Sequence, residues 1–533
     1  MTQTVRATSR AILTEIAARG KHSVRQLAEW IQGSKSSVHR HQQATVRRSQ
    51  HPESKLWETP EGDAWLIRLV FATLYVFGLQ RHVGADTISE FFKLLHLETH
   101  VGVSPTALRT LLAQMEALLP QFQQACEASL PDKTRPAVLA ADETFPGDGL
   151  LLVLMELSSG YLLVEESGSD RDYATWLAQS APRLKTLGID VKHAISDRAK
   201  ALIKLAMDGF QCASGADVFH EQYGLSRWLA PALGRLKGRA KKACQDVQAA
   251  LTKGPPNTTQ ATALETQLEK AVEALEDVEQ GQQDYHEHLV GISAAVHPFA
   301  LADSARQSPE NVVRQLEQRA QALETLAQQH GIPDKDGAVQ KFRNQVKSLS
   351  SHVGYWWEWV EELLLPVEEG MRHGLQSTLL PVIYWHHQQA RTQNQAHRER
   401  YREAWQQALE VWEADPFWSG LSIAEQERWL TWAEWMVQQF HRSSSAVEGR
   451  NGCLSQMYHS GRGLTPKRLK ALTVIHNYGI TRSDGTTAAE RLFEMPFPDL
   501  FEWVSSQMGA LPLPRKARQR VRPNPLIRPL VPA

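Results

Sequence analysis

Two aspartates end apolar stretches in the first half of the chain. Asp142 follows the run AVLAA (137–141), and Asp197 ends the segment DVKHAISD (190–197). A charge is costly to remove from water unless something compensates it, so a buried strand that ends on a carboxylate needs an explanation. If the two strands are neighbours, both carboxylates emerge at one edge of a sheet. They then repel each other unless they share a proton or bind a cation.

Metal binding is the chemistry that such a pair of carboxylates can perform. Sets of Asp and Glu bind Mg²⁺ with positions left for water, and two ions ~4 Å apart can hold the oxygens of a phosphoryl displacement. A third acid is then expected, and Glu448 in SSSAVEGRNGCLSQM (443–457) is the candidate. Arg442, Arg450 and Asn451 flank it, and these residue types suit contacts with phosphate or a leaving oxygen.

The ordinary alternative is that these acids form turns or cap helices, as Asp197 can do for the helix that follows it. For either aspartate alone that alternative is preferred. Their occurrence as a pair, in this order of elements and beside a basic pair of helices, favours a metal site.

The elements that position the acids follow from periodicity and turn signals. Short β-prone stretches are predicted at 137–142, 150–157, 161–166 and 190–197, with a helix at 172–188 before the last strand and another helix after it. The order β-β-β-α-β-α predicts an α/β core in which an antiparallel meander precedes strands that alternate with helices.

A long helical block separates Glu448 from the two aspartates. Residues 226–440 lack strand signals and predict an all-α insertion, and a domain inserted in a loop leaves both flanks of a site intact. Heptad-like Leu264, Leu268, Val272 and Leu275 serve either a dimer or an intramolecular hairpin. The many tryptophans of this block are expected to pack in its core.

The amino-terminal region is predicted to be a helix-turn-helix. Two helices are predicted, SVRQLAEWI (23–31) with Ser23 as its N-cap and KSSVHRHQQA (35–44) with Ser34 as its cap. The break lies at Gly33-Ser34, and a helix at 11–18 completes the unit. The second helix of this motif enters the major groove. The expected base readers are Lys35, Ser36, Ser37, His39 and Arg40, with Arg47 and Arg48 on phosphate. An ordinary helical hairpin with a solvated basic face is the alternative.

Charge distribution also indicates a polyanionic partner. Residues 1–55 hold ten Lys or Arg and three Glu, net +7, and residues 511–533 hold six Lys or Arg and no acid, although the whole chain carries −1. The four cysteines are scattered without a Cys-x-x-Cys pair, so neither a zinc site of that type nor a disulfide framework is expected. The apolar run 66–79 is too short to span a membrane and contains Arg68. A soluble intracellular protein is predicted.

Several of these segments together resemble the DDE transposases of bacterial insertion sequences. The resemblance lies in LAADET, AISDRAKALIKLA, ADVFH and SSSAVEGRNG, and in GRGLTPKRLKALTVIHNYGITRSDGTTAAERLF (461–493); it extends more loosely to the Mutator-like and hAT groups. It implies a ribonuclease-H-like core with Asp142, Asp197 and Glu448 as the ligands of two Mg²⁺ ions, for which Mn²⁺ can substitute. In that family the first Asp lies on the first strand, the second just after the fourth, and the Glu on a late helix.

One histidine also takes a role from this resemblance. His220 in DVFH (217–220) resembles the Cys/Asp-x-x-His element of Mutator-like enzymes, which implies contact with the scissile phosphate. A buried strand histidine is the alternative.

The function expected from the resemblance is a transposase that cleaves DNA at insertion-sequence ends and transfers the strand. Its partners would be double-stranded DNA (terminal inverted repeats and target) and further copies of the chain in a dimer or larger synaptic complex, in the cytoplasm with the nucleoid and without a membrane. The alternatives are a nuclease or resolvase of the same fold without strand transfer, and a non-catalytic, domesticated DNA-binding regulator.

The domain boundaries complete the prediction. The expected parts are a helix-turn-helix domain (1–55), a helical domain that is either a second helix-turn-helix or a packing domain (56–130), the first part of the core (131–225), the insertion (226–440), the second part of the core (441–505) and a disordered basic tail (506–533).

Overall fold

The computed structural model of the chain describes residues 11–16, 18–20, 22–147 and 149–514. The chain divides into two units, one formed by Met1–Ser129 with Gln456–Ala533 and the other by Leu130–Ser455. The first boundary lies where the catalytic core was expected to begin. The second falls inside the segment 441–505, so that only its first residues belong to the unit that carries the strands. Part of the expected basic tail, 515–533, lies outside the described residues.

Helices make up the described part of the first unit. Residues 11–16 and 18–19 are helical. The helices that follow them, up to the second unit, are α1 (Val24–Trp30), α2 (Lys35–Arg48), α3 (Pro60–Thr73, extended to Gln80 by a π-helical turn), α4 (Ala85–Leu94) and α5 (Pro105–Ala128).

The second unit contains a five-stranded sheet and a long helical segment. Its strands are β1 (Arg135–Thr144), β2 (Leu150–Glu156), β3 (Tyr161–Gly168), β4 (Ile189–Ser196) and β5 (Ala213–Ala216). Its helices are α6 (Tyr173–Leu187), α7 (Lys200–Lys204), α8 (Val218–Thr252), α9 (Thr258–Ala295), α10 (Pro309–Gln329), α11 (Ala338–Leu364), α12 (Glu369–Gly374), α13 (Leu380–Arg391), α14 (Gln395–Ala414), α15 (Pro416–Ser419) and α16 (Ile423–Gln438).

Helix α17 (Ser445–Met457) leads from the second unit back into the first. It is followed there by α18 (Pro466–Gly479), α19 (Ala488–Phe493) and α20 (Leu500–Gln507). Residues 508–514 continue beyond the last helix, and the N–H of Gly102 donates to the carbonyl of Pro512 at 2.7 Å.

The sheet is mixed, in the order β3-β2-β1-β4-β5. Strands β1, β2 and β3 form the expected antiparallel meander, while β4 runs parallel to β1 and β5 runs parallel to β4. The expected order β-β-β-α-β-α is confirmed, and β5 adds a strand that the sequence did not predict. The segment ASGA of β5 consists of small residues without β-branching, so it carries no strand signal.

Residues 226–440 are helical as expected, apart from loops and one isolated bridge between Phe299 and Arg306. Helices α8 and α9 pack against each other. Leu264, Leu268 and Leu275 of α9 are half-buried, whereas Val272 is exposed, so the hairpin covers only part of this heptad pattern. Trp356 and Trp357 are buried in α11, as expected for core aromatics.

Helix α11 also covers the edge strand of the sheet. His352 Nε2 lies 2.7 Å from the carbonyl oxygen of Ala216, and the hydroxyl of Ser348 donates to the carbonyl of Ser214 at 2.9 Å. At Gly215 a Cβ atom would lie 2.4 Å from His352 Cε1, so only glycine permits this close approach. The insertion therefore caps the unpaired backbone of β5, which would otherwise be an open edge.

In the first unit, α1 and α2 share a small core of their own. Leu27, Ala28 and Val38 are buried there together with Ile12. Ser23 forms a capping box with Gln26 at the start of α1, and Ser34 caps α2 through the N–H of Ser37, as the sequence predicted.

Helix α5 packs against α4, α18, α20 and the π-helical turn at 74–80. Arg468 of α18 donates to the carboxylate of Glu116 and, at 2.9 Å, to the carbonyl of Gly78. The stretch Pro60–Gln80 has the length and composition of a membrane span, but 56% of its most apolar window is buried inside the protein, as in a core helix.

Candidate metal site at the carboxyl ends of the parallel strands

Asp142 and Asp197 occupy equivalent places on neighbouring parallel strands. Ala140 of β1 pairs with Ile195 of β4, and each aspartate follows its partner by two residues. Side chains alternate with a period of two, and neighbouring strands lie about 4.8 Å apart. Both carboxylates are therefore placed at the same edge of the sheet, on adjacent strands.

A third aspartate continues this row and has a different role. Ser196 pairs with Ala216, so Asp217 follows β5 as Asp197 follows β4. Asp217 is buried and accepts hydrogen bonds from the N–H of His220 at 2.8 Å and from both the N–H and the hydroxyl of Ser444. Its carboxylate thus caps α8 and fastens the residue that precedes α17. Asp217 was expected only as part of the DVFH motif, because its partner Ser444 lies 227 residues away and gives no local signal.

Helix α17 brings Glu448 and Asn451 to the end of β1. The two residues are three positions apart, hence on one face of the helix. The Nδ2 atom of Asn451 donates to Oδ2 of Asp142 at 2.7 Å. Glu448 lies in the first turn and is exposed. The amide oxygen of Asn451 is buried, and no group among the described residues donates to it.

The three predicted acids influence one another electrostatically. Burial is the main cause that raises the pKa of Asp142 to about 6, and the negative charges of Asp197 and Glu448 raise it further. The N–H of Glu143 and the amide of Asn451 oppose this rise by donating to the carboxylate. Burial also raises the pKa of Glu448, with a contribution from Asp217.

The site is open rather than collapsed. The carboxylate oxygens of Asp142, Asp197 and Glu448 do not all lie within 4.8 Å of one another. A pair of ions would not require this, because each ion would contact only two of the carboxylates. Asp197 is exposed and accepts a hydrogen bond from the N–H of Ala199 at 3.0 Å. Free oxygen lone pairs on exposed acids beside a partly buried one suit a hard divalent cation.

The two arginines beside Glu448 already have protein partners. Arg450 is buried and forms a bidentate pair with Glu165 of β3, at 2.6 and 2.7 Å. Arg442 donates to the carbonyls of Ser293 and Val296. The expectation that these side chains contact phosphate therefore lacks support, and so does the same expectation for Asn451, whose amide donates to Asp142. The partners indicate that Arg450 holds α17 to the sheet and that Arg442 anchors the insertion.

His220 is exposed in the first turn of α8 and is therefore not a buried strand histidine. It lines a cavity of about 600 Å³ between α8 and α11, together with Arg227, Trp228 and Lys341. Glu221 beside it was not predicted to belong to the site. Burial raises the pKa of Glu221 to about 7, and Asp217 and Asp197 add to the rise, although His220 and Arg198 lower it.

The expected DNA-reading residues share one side of α2. Lys35, Ser36, His39, Arg40 and Arg47 are exposed, while Ser37 is half-buried. Val38 points into the small core on the other side. Arg48 differs because its guanidinium pairs with Glu58 at 2.6 Å and is mostly buried, so a phosphate contact from Arg48 lacks support.

Comparison with known proteins adds one partial match. Residues 375–520 match the model of DUF6399, a family of unknown function. The matched part includes α17 with Glu448, and it excludes Asp142 and Asp197. No curated protein matches the chain.

Proposed function

We propose that the protein is a DDE-type DNA transposase with a ribonuclease-H-like core, which cleaves DNA at the ends of a mobile element and transfers the strand. The observation that carries the proposal is the meeting of Asp142, Asp197 and the Glu448 helix at one sheet edge. The first acid lies on β1, the second directly after β4 and the third on a late helix. This is the arrangement that the resemblance implies.

The residues present fit a pair of divalent cations. Asp142 and Asp197 would share one Mg²⁺ ion, and Glu448 would complete the second; Mn²⁺ can replace both. Bound Mg²⁺ would supply an activated water and stabilise charge that develops on the phosphate. Asn451 orients Asp142 through its 2.7 Å hydrogen bond, and its free amide oxygen can accept a further hydrogen bond. Exposed His220 is available to a DNA strand, and Arg227 and Lys341 of the neighbouring cavity could contact phosphate, but Glu221 and Asp336 line the same cavity.

Recognition of DNA belongs to α2 in this proposal. Its exposed face carries Lys35, His39, Arg40 and Arg47, and it contains no acid among the residues of the helix. Such a face can combine contacts with base edges and with phosphate. Two ends must be paired for transposition, so the active form would be a dimer or a larger complex.

The test is cleavage of plasmid DNA that contains the sequences flanking the gene, with Mg²⁺ present. Wild-type protein should cut at the element ends and give joined products. Asp142→Asn should bind the same DNA and give no cutting, whereas Asp172→Asn, an exposed acid outside the site, should cut normally. Cutting without joining would instead indicate the nuclease or resolvase. Binding by the wild type without any cutting in Mg²⁺ or Mn²⁺ would indicate the regulator, and equal cutting by Asp142→Asn would remove the acids from the mechanism.

A further inference from the structure

A second group of metal-ligating side chains lies in the first unit. His51, Glu53 and His96 each offer one ligand atom, and these atoms lie within 4.8 Å of one another. His96 Nδ1 is 2.7 Å from Oε1 of Glu53. The rings of His51 and His96 stack with centroids 3.6 Å apart and planes 5° apart. Within the described ranges, no other three His, Cys, Asp or Glu side chains come this close together.

The backbone supports this convergence from two separate places in the chain. His51 and Glu53 lie in the segment that follows α2, at the start of a 3-10 helix, Pro52–Glu58. His96 lies just after α4 and adopts a left-handed conformation with φ 55° and ψ 26°. This conformation is uncommon for a residue other than glycine, and it persists only where the surroundings maintain it.

Ordinary stabilisation does not account well for the group. The neighbouring acid, Glu58, already has the guanidinium of Arg48 as its partner at 2.6 Å. The side chains of His96 and Glu53 are 41% and 47% exposed. An ion pair with this much exposure to water contributes little to stability. The same exposure leaves room for water as an additional ligand.

We propose that His51, Glu53 and His96 bind a transition-metal cation of the Zn²⁺ class. Two imidazole nitrogens and one carboxylate oxygen, with water in the fourth position, form a common zinc ligand set. Imidazole ligands disfavour Mg²⁺, which prefers oxygen, so this site differs in chemistry from the row of carboxylates. The bound ion would join the end of α2 to the end of α4 and so hold the helix-turn-helix against the rest of its unit. This inference does not depend on the proposed function.

Zinc titration of the metal-stripped full-length protein tests the proposal. We use Asp142→Asn as the background, so that the carboxylates at the sheet edge contribute less, and follow ZnCl₂ binding by calorimetry. One Zn²⁺ per chain is expected, with X-ray absorption that reports two imidazole ligands. Asparagine tolerates the left-handed backbone, so His96→Asn should remove the ligand and keep the fold. It should weaken binding by about 100-fold or more, because loss of an outer-shell partner alone generally costs about 10–100-fold.

Two further variants make the outcome unambiguous. Glu53→Gln keeps a hydrogen-bonding partner for His96 and should also weaken Zn²⁺ binding, while His286→Asn, at an exposed histidine in α9, should leave it unchanged. Absence of Zn²⁺ binding by the background protein would overturn the proposal. Equal affinity in the His96→Asn and Glu53→Gln proteins would overturn it as well, and would leave the group as a metal-free ion pair with a stacked ring.

Discussion

Asp142 is held in surroundings that oppose its negative charge. It is half-buried at the end of β1, and burial together with the charges of Asp197 and Glu448 raises its pKa to about 6. A group whose pKa is raised by folding binds its proton more tightly in the folded state, so folding loses stability as pH rises through that range. A bound cation would offset both the burial and the repulsion, which is a physical reason to expect Asp142 to act as a ligand.

The first prediction follows from that cost. In the absence of metal, we expect Asp142→Asn to increase the free energy of unfolding by about 1–2 kcal/mol at pH 7.5 and to have little effect at pH 4. At the lower pH the wild-type carboxyl is already protonated, so the two proteins become alike. Urea unfolding at both pH values measures the difference. A stability gain that is equal at the two pH values would show that ionisation of Asp142 is not its source.

Asn451 should act on the reaction through Asp142. Its amide lowers the pKa of that carboxyl, so Asn451→Leu should raise the pKa and move the acidic limb of the Mg²⁺-dependent cleavage profile to higher pH, by up to about one unit. Asn344→Leu, at an exposed position in α11, is the matched control. Superimposable profiles for Asn451→Leu and wild type would exclude this positioning role.

At the scale of elements, Asp217 fastens the carboxyl ends of β4 and β5 to the start of α17. The buried carboxylate of Asp217 caps α8 and accepts a hydrogen bond from the Ser444 hydroxyl at 2.8 Å, just before α17. Arg450 of α17 pairs with Glu165 of β3 and so holds α17 to the sheet. The position of Glu448 therefore depends on contacts that lie outside the three acids themselves.

The hydrogen bond between Asp217 and Ser444 gives a prediction for Ser444. Ser444→Ala removes a donor from a buried carboxylate, so it should lower the free energy of unfolding by about 1–3 kcal/mol and reduce cleavage as α17 loses its anchor. Ser422→Ala removes the cap of α16, an exposed cap, and should lower stability by about 1 kcal/mol with cleavage unchanged. If both variants cleave like wild type, the Asp217 contact does not position Glu448.

Four of the strands and the two serine caps were predictable, because strand periodicity and capping depend on residues close together in the chain. Ser23 and Ser34 cap α1 and α2 as expected. Asp197 directly follows β4 as expected, whereas β1 continues for two residues beyond Asp142. The roles of Arg442, Arg450 and Arg48 were not predictable, because their partners are set by tertiary packing and lie up to 285 residues away. Strand β5 was not predicted because it is short and built of small residues. The group of His51, Glu53 and His96 was not predicted because it joins segments that are distant in the chain.

At the scale of the whole molecule, the expected DNA-reading helix and the expected metal ligands belong to different units. Helix α2 lies in the unit of Met1–Ser129 and Gln456–Ala533, and the acids lie in Leu130–Ser455. The basic residues of α2 lie in the amino-terminal part of a chain whose net charge is only −1. Because the DNA-reading helix and the acids belong to different units, DNA binding and DNA cutting should be separable by substitution.

The salt dependence of the affinity for DNA measures the binding activity. Arg47→Ala should weaken DNA binding and reduce the slope of log affinity against log salt by about 0.9, the value for one lost phosphate contact. Unfolding and Mg²⁺ binding should stay unchanged, because the side chain of Arg47 is exposed on α2. An unchanged slope would mean that this face of α2 does not touch DNA phosphates.

The most direct test of the metal site is a crystal structure of the protein soaked in Mn²⁺, with the ions located by anomalous scattering. We expect two anomalous peaks at the sheet edge, one between Asp142 and Asp197 and the other between Asp142 and Glu448. Two peaks each within about 2.5 Å of carboxylate oxygens would support the account. No peak at this edge, at Mn²⁺ concentrations that support cleavage by other enzymes of this chemistry, would contradict it.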